Sequence, residues 1–388
     1  MYKVYLKKNE EKRILDGESL VYANEVLRIE GKDKNGSLSS LYSYDGKFIG
    51  RGYINHLSKV ILRVLIRDDK TIDDVEFFKD RINKANDYRI NLGYENSYRV
   101  VFSEADLLPG LIVDKYGNFL SIEISSLGME LKKNLIIEAL VSIFNPIGIY
   151  EKSEMNLRVK EGLKDESGVI YGTIPNEVII EENGLKISVD IINGQKTGYF
   201  LDQKENRLSI RNYTKDKVVL DCFSNTGGFS LNASVNAKKV IAIDISEKAI
   251  KNVNRNKELN NKDNIECIIG DVFEELRKYK NNKTKFDVII LDPPAFTKSL
   301  SEVKDALRGY KDINALAMKL LNENGYLITS SCSHYITIDM FLKMLIESSK
   351  IAKRRVKIVE IKTQSKDHPS LLQSNDNLYL KFFVLQVE

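Results

Sequence analysis

The alternation of apolar and polar side chains divides the chain into three stretches. From residue 1 to about 70 the apolar residues come in short runs, such as Val60-Ile61-Leu62-Arg63-Val64-Leu65-Ile66, with turn signals at Lys32 to Gly36 and at Asp45-Gly46. Short β-branched runs between turn residues predict strands, so this stretch is expected to be a small β-rich domain. Between Asp73 and Leu92 the spacing changes, because Val75, Phe78, Ile82 and Ala85 recur as one face of a helix. Thr71 or Asp73 is the expected N-cap of that helix and Gly93 its stop.

From Ser97 to Ile192 the pattern is mixed. Arg99–Phe102, Leu111–Asp114, Phe119–Ile124 and Lys186–Ile192 read as strands and Glu130–Phe144 as a helix, with turns at Pro109-Gly110, Tyr116-Gly117-Asn118 and Asn183-Gly184. After residue 215 strands and helices alternate: Val218–Leu220, a helix from Gly228, Lys239–Ile243, a helix from Glu247, then strands at Ile265–Ile269, Phe286–Leu291 and Tyr326–Ser330. That alternation predicts a mostly parallel sheet with helices on both faces. The expected fold class is α/β, a C-terminal Rossmann-like sheet preceded by an N-terminal β-rich domain and a central α+β segment, with domains at 1–72, 73–190 and 191–388.

Composition narrows the function classes. With 388 residues, 43% apolar and 29% charged, the chain is expected to hold more than one globular domain. No run approaches the roughly 18 apolar residues of a membrane span, and the start MYKVYLKKNEEKR lacks the apolar centre of a secretory signal, so the expected compartment is the cytoplasm. Cys222, Cys267 and Cys332 are scattered, without the spacing of a disulfide framework or a zinc site, and no metal is expected. The net charge of +4, from 59 basic and 55 acidic residues, neither demands nor excludes a polyanionic partner. A nucleic acid would have to meet a local concentration of basic side chains.

The candidate chemistry gathers at successive strand ends. The first strand of the alternating region runs into Asp221-Cys222-Phe223-Ser224-Asn225-Thr226-Gly227-Gly228-Phe229, where small residues allow close approach of backbone to a ligand. The second ends at Ile243-Asp244-Ile245, and an acid there can accept both ribose hydroxyls of a nucleoside. After the third comes Asp271-Val272, placed to meet an adenine amino group. Each acid alone is commonly a helix cap, but three at consecutive strand ends favour a nucleoside site. The fourth strand delivers Asp292-Pro293-Pro294-Ala295-Phe296, a stiff turn with a carboxylate and an aromatic ring suited to a planar base. The fifth delivers Ser331-Cys332-Ser333-His334, where a rim cysteine is either a nucleophile or a small apolar filler. Cys222 and Cys267 are expected to be fillers.

These runs, together with Asn193-Gly194-Gln195-Lys196-Thr197-Gly198-Tyr199-Phe200-Leu201-Asp202-Gln203, Leu108-Pro109-Gly110-Leu111-Ile112-Val113-Asp114 and Lys160-Glu161-Gly162-Leu163, resemble the bacterial and archaeal 23S rRNA (cytosine-C5)-methyltransferase family over nearly the whole chain. The resemblance implies an N-terminal PUA domain that binds RNA and a C-terminal class I methyltransferase domain that binds S-adenosylmethionine (SAM). It assigns Cys332 as the nucleophile, and Asp292 is expected as a second catalytic residue that hydrogen-bonds the cytosine at N3 and its amino group. The cofactor site is then expected at Asp221, Phe223, Asn225, Thr226, Gly227, Gly228, Asp244, Ile245, Asp271 and Val272, and the substrate site at Gln195, Lys196, Pro293, Pro294 and Phe296. The expected partner is RNA, 23S rRNA in this family, with no membrane and with a homodimer left open. Two other functions use the same features: SAM-dependent methylation of a nitrogen on an RNA base, which needs no cysteine, and ribosome assembly by an RNA-binding protein that has lost catalysis.

Overall fold

The short apolar runs at the start of the chain form six strands, β1 Tyr2–Leu6, β2 Leu20–Tyr22, β3 Val26–Glu30, β4 Leu38–Tyr42, β5 Phe48–Ile54 and β6 Val60–Ile66. In this computed structural model, which describes residues 1–69, 74–154, 156–297, 299–373 and 378–388, they join in the order β2-β6-β5-β4-β1-β3. Val4, Leu6, Val21, Leu41 and Leu62 bury one face, and Gly46, at a φ of +83°, makes the turn between β4 and β5. The helix expected next spans Val75–Asn91 and is capped by Asp74, whose carboxylate accepts from Phe77 N at 2.8 Å. Thr71 and Asp73, the expected caps, lie outside the described residues.

Five further strands, β7 Ser97–Phe102, β8 Leu111–Tyr116, β9 Phe119–Ile124, β10 Gly148–Ser153 and β11 Glu166–Gly172, build a second sheet in the order β11-β10-β9-β8-β7. Its core takes Val100, Val113 and Ile122 from the strands and Phe78 and Ile82 from the helix, and Leu65 and Ile66 of β6 belong to the same cluster. Both sheets thus fall in one compact unit, formed by Met1–Ile180, Val189–Leu201 and Lys366–Asn377. The helix expected over Glu130–Phe144 is two, Leu127–Leu131 and Lys133–Phe144. Strands β12 Val178–Glu182 and β13 Leu185–Val189 form a two-stranded sheet turned at Asn183-Gly184. The last expected strand therefore stops at Val189 rather than Ile192, because the Asp190 carboxylate accepts from Asn193 N at 2.8 Å and starts a turn.

The second unit comprises Glu181–Ser188, Asp202–Ser365 and Leu378–Glu388. Its strands are β14 Val218–Cys222, β15 Lys239–Asp244, β16 Ile265–Ile269, β17 Phe286–Leu291, β18 Leu321–Ser331, β19 Val356–Lys362 and β20 Lys381–Val387, in the order β16-β15-β14-β17-β18-β20-β19. The first five strands are parallel, as the alternation predicts, and β20 runs antiparallel between β18 and β19. Leu220, Ile243, Ile289, Leu327 and Phe383 lie in its core. Strand order reverses between β14 and β17, and in such sheets the crevice at the carboxyl ends of those strands takes the ligand. Among the described residues no helix is long and apolar enough to cross a membrane.

Candidate active site

Five strand ends of the second unit carry the expected residues. Asp221 is 0% exposed within β14. One of its oxygens accepts from Ser230 Oγ at 2.5 Å, and the other, Oδ1, is buried with no hydrogen-bond partner among the described residues. Burial pushes this carboxyl up to about 7, with Ser230 opposing and Asp292 and Asp244 adding to the rise. A ligand cation or hydroxyl at Oδ1 would satisfy the orphaned acceptor, so the site is built for one. Without ligand the ionised carboxylate costs stability. Because the folded value lies above the ordinary 3.8, stability falls as pH rises from about 4 through 7. Asp221→Asn is therefore expected to unfold at a higher temperature than the ligand-free native protein at pH 8, by a margin worth at most about 4 kcal/mol that shrinks towards pH 4. Thermal unfolding at both pH values checks this, and equal midpoints at pH 8 would count against a strained carboxylate.

The turn after β14 needs left-handed backbone at Phe223, Asn225 and Gly227, with φ of 63°, 48° and 82°. At Gly227 a Cβ would meet Val253 Cγ1 at 3.0 Å, so the position is held by conformation and space together. Gly227 N donates to Ser224 O at 2.7 Å, and Asn256 Nδ2 donates to Thr226 O at 2.8 Å. Gly228 opens the short helix to Ser234. Asp244, at the end of β15, accepts from Asn225 N on one oxygen and Ser246 N on the other, each at 2.9 Å, and so ties this turn to its neighbour. Ile245 stands 70% exposed beside it. Asp271 caps the next helix through Glu274 N at 3.0 Å, and the Val272 side chain enters the core.

Asp292 follows β17. Its Oδ1 accepts from Gln203 Nε2 at 2.9 Å and from Ser330 Oγ of β18, while Asn206 Nδ2 donates to Gln203 Oε1 at 2.7 Å. The carboxylate is thereby fixed by groups that sequence reasoning did not single out, although Gln203 and Ser330 lie in or beside runs it had marked. Pro293 is buried and Pro294 exposed. Phe296, expected to offer an open aromatic face, packs its ring 4.5 Å from Tyr310 and 6.4 Å from Phe273.

Cys332 follows β18 directly and is half-buried. Cys222 is a buried filler as expected, its thiol pushed well up by burial. Cys267 is half-buried on the edge strand β16 instead of within the core.

Gln195 and Lys196 belong to the first unit. Both are exposed, on a loop whose next residue, Thr197, is buried and bonds Asp114 Oδ2 and Tyr116 Oη. Asp114 also takes a two-pronged bond from Arg99, at 2.8 Å on each oxygen. The Asp114 and Gln195–Gln203 runs, far apart in sequence, thus meet in one buried polar cluster.

Comparison with known proteins identifies the two kinds of domain. A PUA-like domain family matches residues 4–67 and a methyltransferase domain family residues 213–376. Ribosomal RNA large subunit methyltransferase I of Aliivibrio fischeri is 40% identical over 391 aligned positions, covering 99% of each chain, and that of Escherichia coli O157:H7 is 38% identical over 392, again 99% of each. Two solved structures align over 100% of both chains at 24% identity and share the fold. One is described as a SAM-dependent methyltransferase from Streptococcus mutans, with a TM-score of 0.83, and the other as a methyltransferase complexed with SAH, with a TM-score of 0.85.

Proposed function

The chain belongs to the ribosomal RNA large subunit methyltransferase I family, and from that premise we propose that it methylates carbon 5 of a cytosine in 23S rRNA through a covalent bond to Cys332. The observation that carries this reading is the pairing of a half-exposed cysteine with a fixed carboxylate at the carboxyl ends of two adjacent inner strands. Thr329 of β18 stands opposite Leu291 of β17, so Cys332 and Asp292 leave neighbouring parallel strands at the same end, and Ser330 joins them by its bond to Asp292.

The residues fit SAM as the cofactor. The orphaned Oδ1 of Asp221 suits the methionine ammonium, the Phe223–Gly228 turn the methionine chain, Asp244 the ribose hydroxyls, and Ile245 with the Asp271-Val272 backbone the adenine. When bound, SAM supplies an electrophilic methyl group. Carbon 5 of cytosine is too weak a nucleophile until a thiolate adds at carbon 6, which leaves carbon 5 enamine-like. Cys332 forms that S–C bond. Asp292, as its carboxylic acid, donates to N3 and so stabilises the negative charge that gathers there as the thiolate adds, while its carbonyl oxygen accepts from the cytosine amino group. Once carbon 5 carries the methyl group its proton passes to water, the C–H electron pair returns to the ring, and the S–C6 bond breaks to release Cys332 as the thiolate. Gln195 and Lys196, on their braced loop, are assigned to the target nucleotide, as is the Pro293-Pro294 turn, with Phe296 supporting that turn from its packing on Tyr310. The PUA-like domain is assigned to RNA, with affinity that weakens as salt rises.

The test is mass spectrometry of 23S rRNA nucleosides from cells with and without the gene. Loss of one 5-methylcytidine is expected, and loss of a nitrogen-methylated base instead would overturn the carbon 5 reading. Asp244→Ala is expected to weaken SAM binding by on the order of 100-fold, since charged hydrogen bonds to two hydroxyls are lost. The loss also releases Asn225 N and Ser246 N, which loosens the turn. Unchanged affinity by calorimetry would remove Asp244 from the site.

A further inference from the structure

The antiparallel register of β18 with β20 sets Lys381 opposite Ser331, one residue before Cys332. The Lys381 side chain is 4% exposed. Its Nζ donates to two main-chain carbonyls, Ser333 O at 2.6 Å and Tyr379 O at 2.7 Å. A neutral amine serves both carbonyls with its two N–H bonds and keeps a lone pair that can take a proton, and once protonated it has a third donor to offer. Neutral carbonyls do not balance a charge, and a buried ammonium without an anion is costly. The register opposite Ser331 and the bond to Ser333 O place the amine against the residues on either side of Cys332, whose thiol acts on it electrostatically.

Resting on the reading of Cys332 as nucleophile, we propose that Lys381 is a positioning residue that takes the Cys332 thiol proton onto Nζ and stays beside the thiolate as its ammonium counter-ion. The exchange balances within the pair. The S–H bond breaks, an N–H bond forms, and the electron pair left on sulfur is the one that adds to carbon 6. Burial pushes the Lys381 amine down to about 8, with Cys332 opposing, which brings it close to the usual thiol value of about 8.5. A proton then passes between the two at little cost.

The other titratable groups around the loop leave this role to Lys381. Tyr310, from the helix Val303–Leu320, has its hydroxyl pushed up by burial and stays neutral. His334 is exposed, with its ring 5.2 Å from that of Tyr379. The Tyr379 hydroxyl donates to Asp202 Oδ2 at 2.5 Å, and Asp292 is engaged by Gln203 and Ser330.

The experiment is alkylation of Cys332 by iodoacetamide in the full-length protein across about pH 6 to 10, read peptide by peptide by mass spectrometry so that Cys222 and Cys267 are scored apart. The wild-type midpoint is expected below about 8.5. Lys381→Met is expected to raise it by at least about one pH unit and slow alkylation at pH 7 about tenfold, with SAM affinity by calorimetry reporting that the fold is kept. Lys381→Arg keeps a cation and is expected to hold the midpoint low. A wild-type midpoint at or above that of an ordinary thiol overturns the proposal. So does a folded Lys381→Met with an unchanged profile, or an arginine variant whose midpoint rises above that of an ordinary thiol. Alkylation needs no RNA, so failure here leaves carbon 5 chemistry standing, whereas nitrogen methylation in the nucleoside assay removes that chemistry without moving the profile.

Discussion

Cys332→Ala is expected to reduce methyl transfer by on the order of 1,000-fold or more while SAM and RNA still bind, because the nucleophile is lost and the surrounding pocket is not. Cys222→Ala and Cys267→Ala should stay active. The first empties a small volume in the core and the second one on an edge strand, so their effects fall on stability. RNA with 5-fluorocytosine at the target should trap the wild-type protein, because fluorine cannot leave carbon 5 as a proton does. The trapped species should be absent from Cys332→Ala on a denaturing gel. An alanine enzyme that methylates at the wild-type rate would exclude the covalent route and favour a ring or amino nitrogen as the acceptor.

Arg99→Ala is expected to destabilise the protein by about 3–5 kcal/mol, the cost of stranding a buried carboxylate. Asp114 is 0% exposed. Burial works to raise its carboxyl, but Arg99, with help from His368 and Thr197, holds it below the ordinary carboxylate range. Without the guanidinium, Asp114 must protonate or draw in water, and Thr197 loses a fixed anchor. Urea denaturation at neutral pH measures the loss, and a change below about 1 kcal/mol would mean that the cluster relaxes easily.

The parallel strands and the acids at their ends were legible because each strand, its turn and its helix are contiguous. Asp221, Asp244, Asp271, Asp292 and Cys332 could be placed by counting strand ends. Their partners could not. Gln203 reaches Asp292 across 89 positions, Ser330 across 38, and neither spacing follows from local periodicity. Lys381 begins an apolar strand, and only the register of β20 against β18 gives it meaning. The single helix expected over Glu130–Phe144 breaks at Lys132, with φ −104° and ψ 8°, although the apolar pattern runs on across the break. Beside it Lys133 bridges Glu130, Glu151 and Glu166, carboxylates contributed by three separate elements. Phe296 was read as an open ring because a sequence does not reveal that Tyr310 lies against it.

The interleaving of the two units has a bearing on biosynthesis. Arg89 donates to the carbonyl of Asp367, 278 residues downstream, and the Asp367 carboxylate accepts from Arg99 N. Those partners belong to the first unit, yet its closing segment leaves the ribosome only after β19. The buried Arg89 must therefore wait, during vectorial synthesis, for a piece of chain made 278 residues later. Its Asp106 partner is local, at 2.5 Å and 2.7 Å, and can neutralise the charge meanwhile. The first two sheets can thus collapse early, but the main-chain carbonyl that completes the Arg89 shell is supplied only once the chain through Asp367 is available to fold.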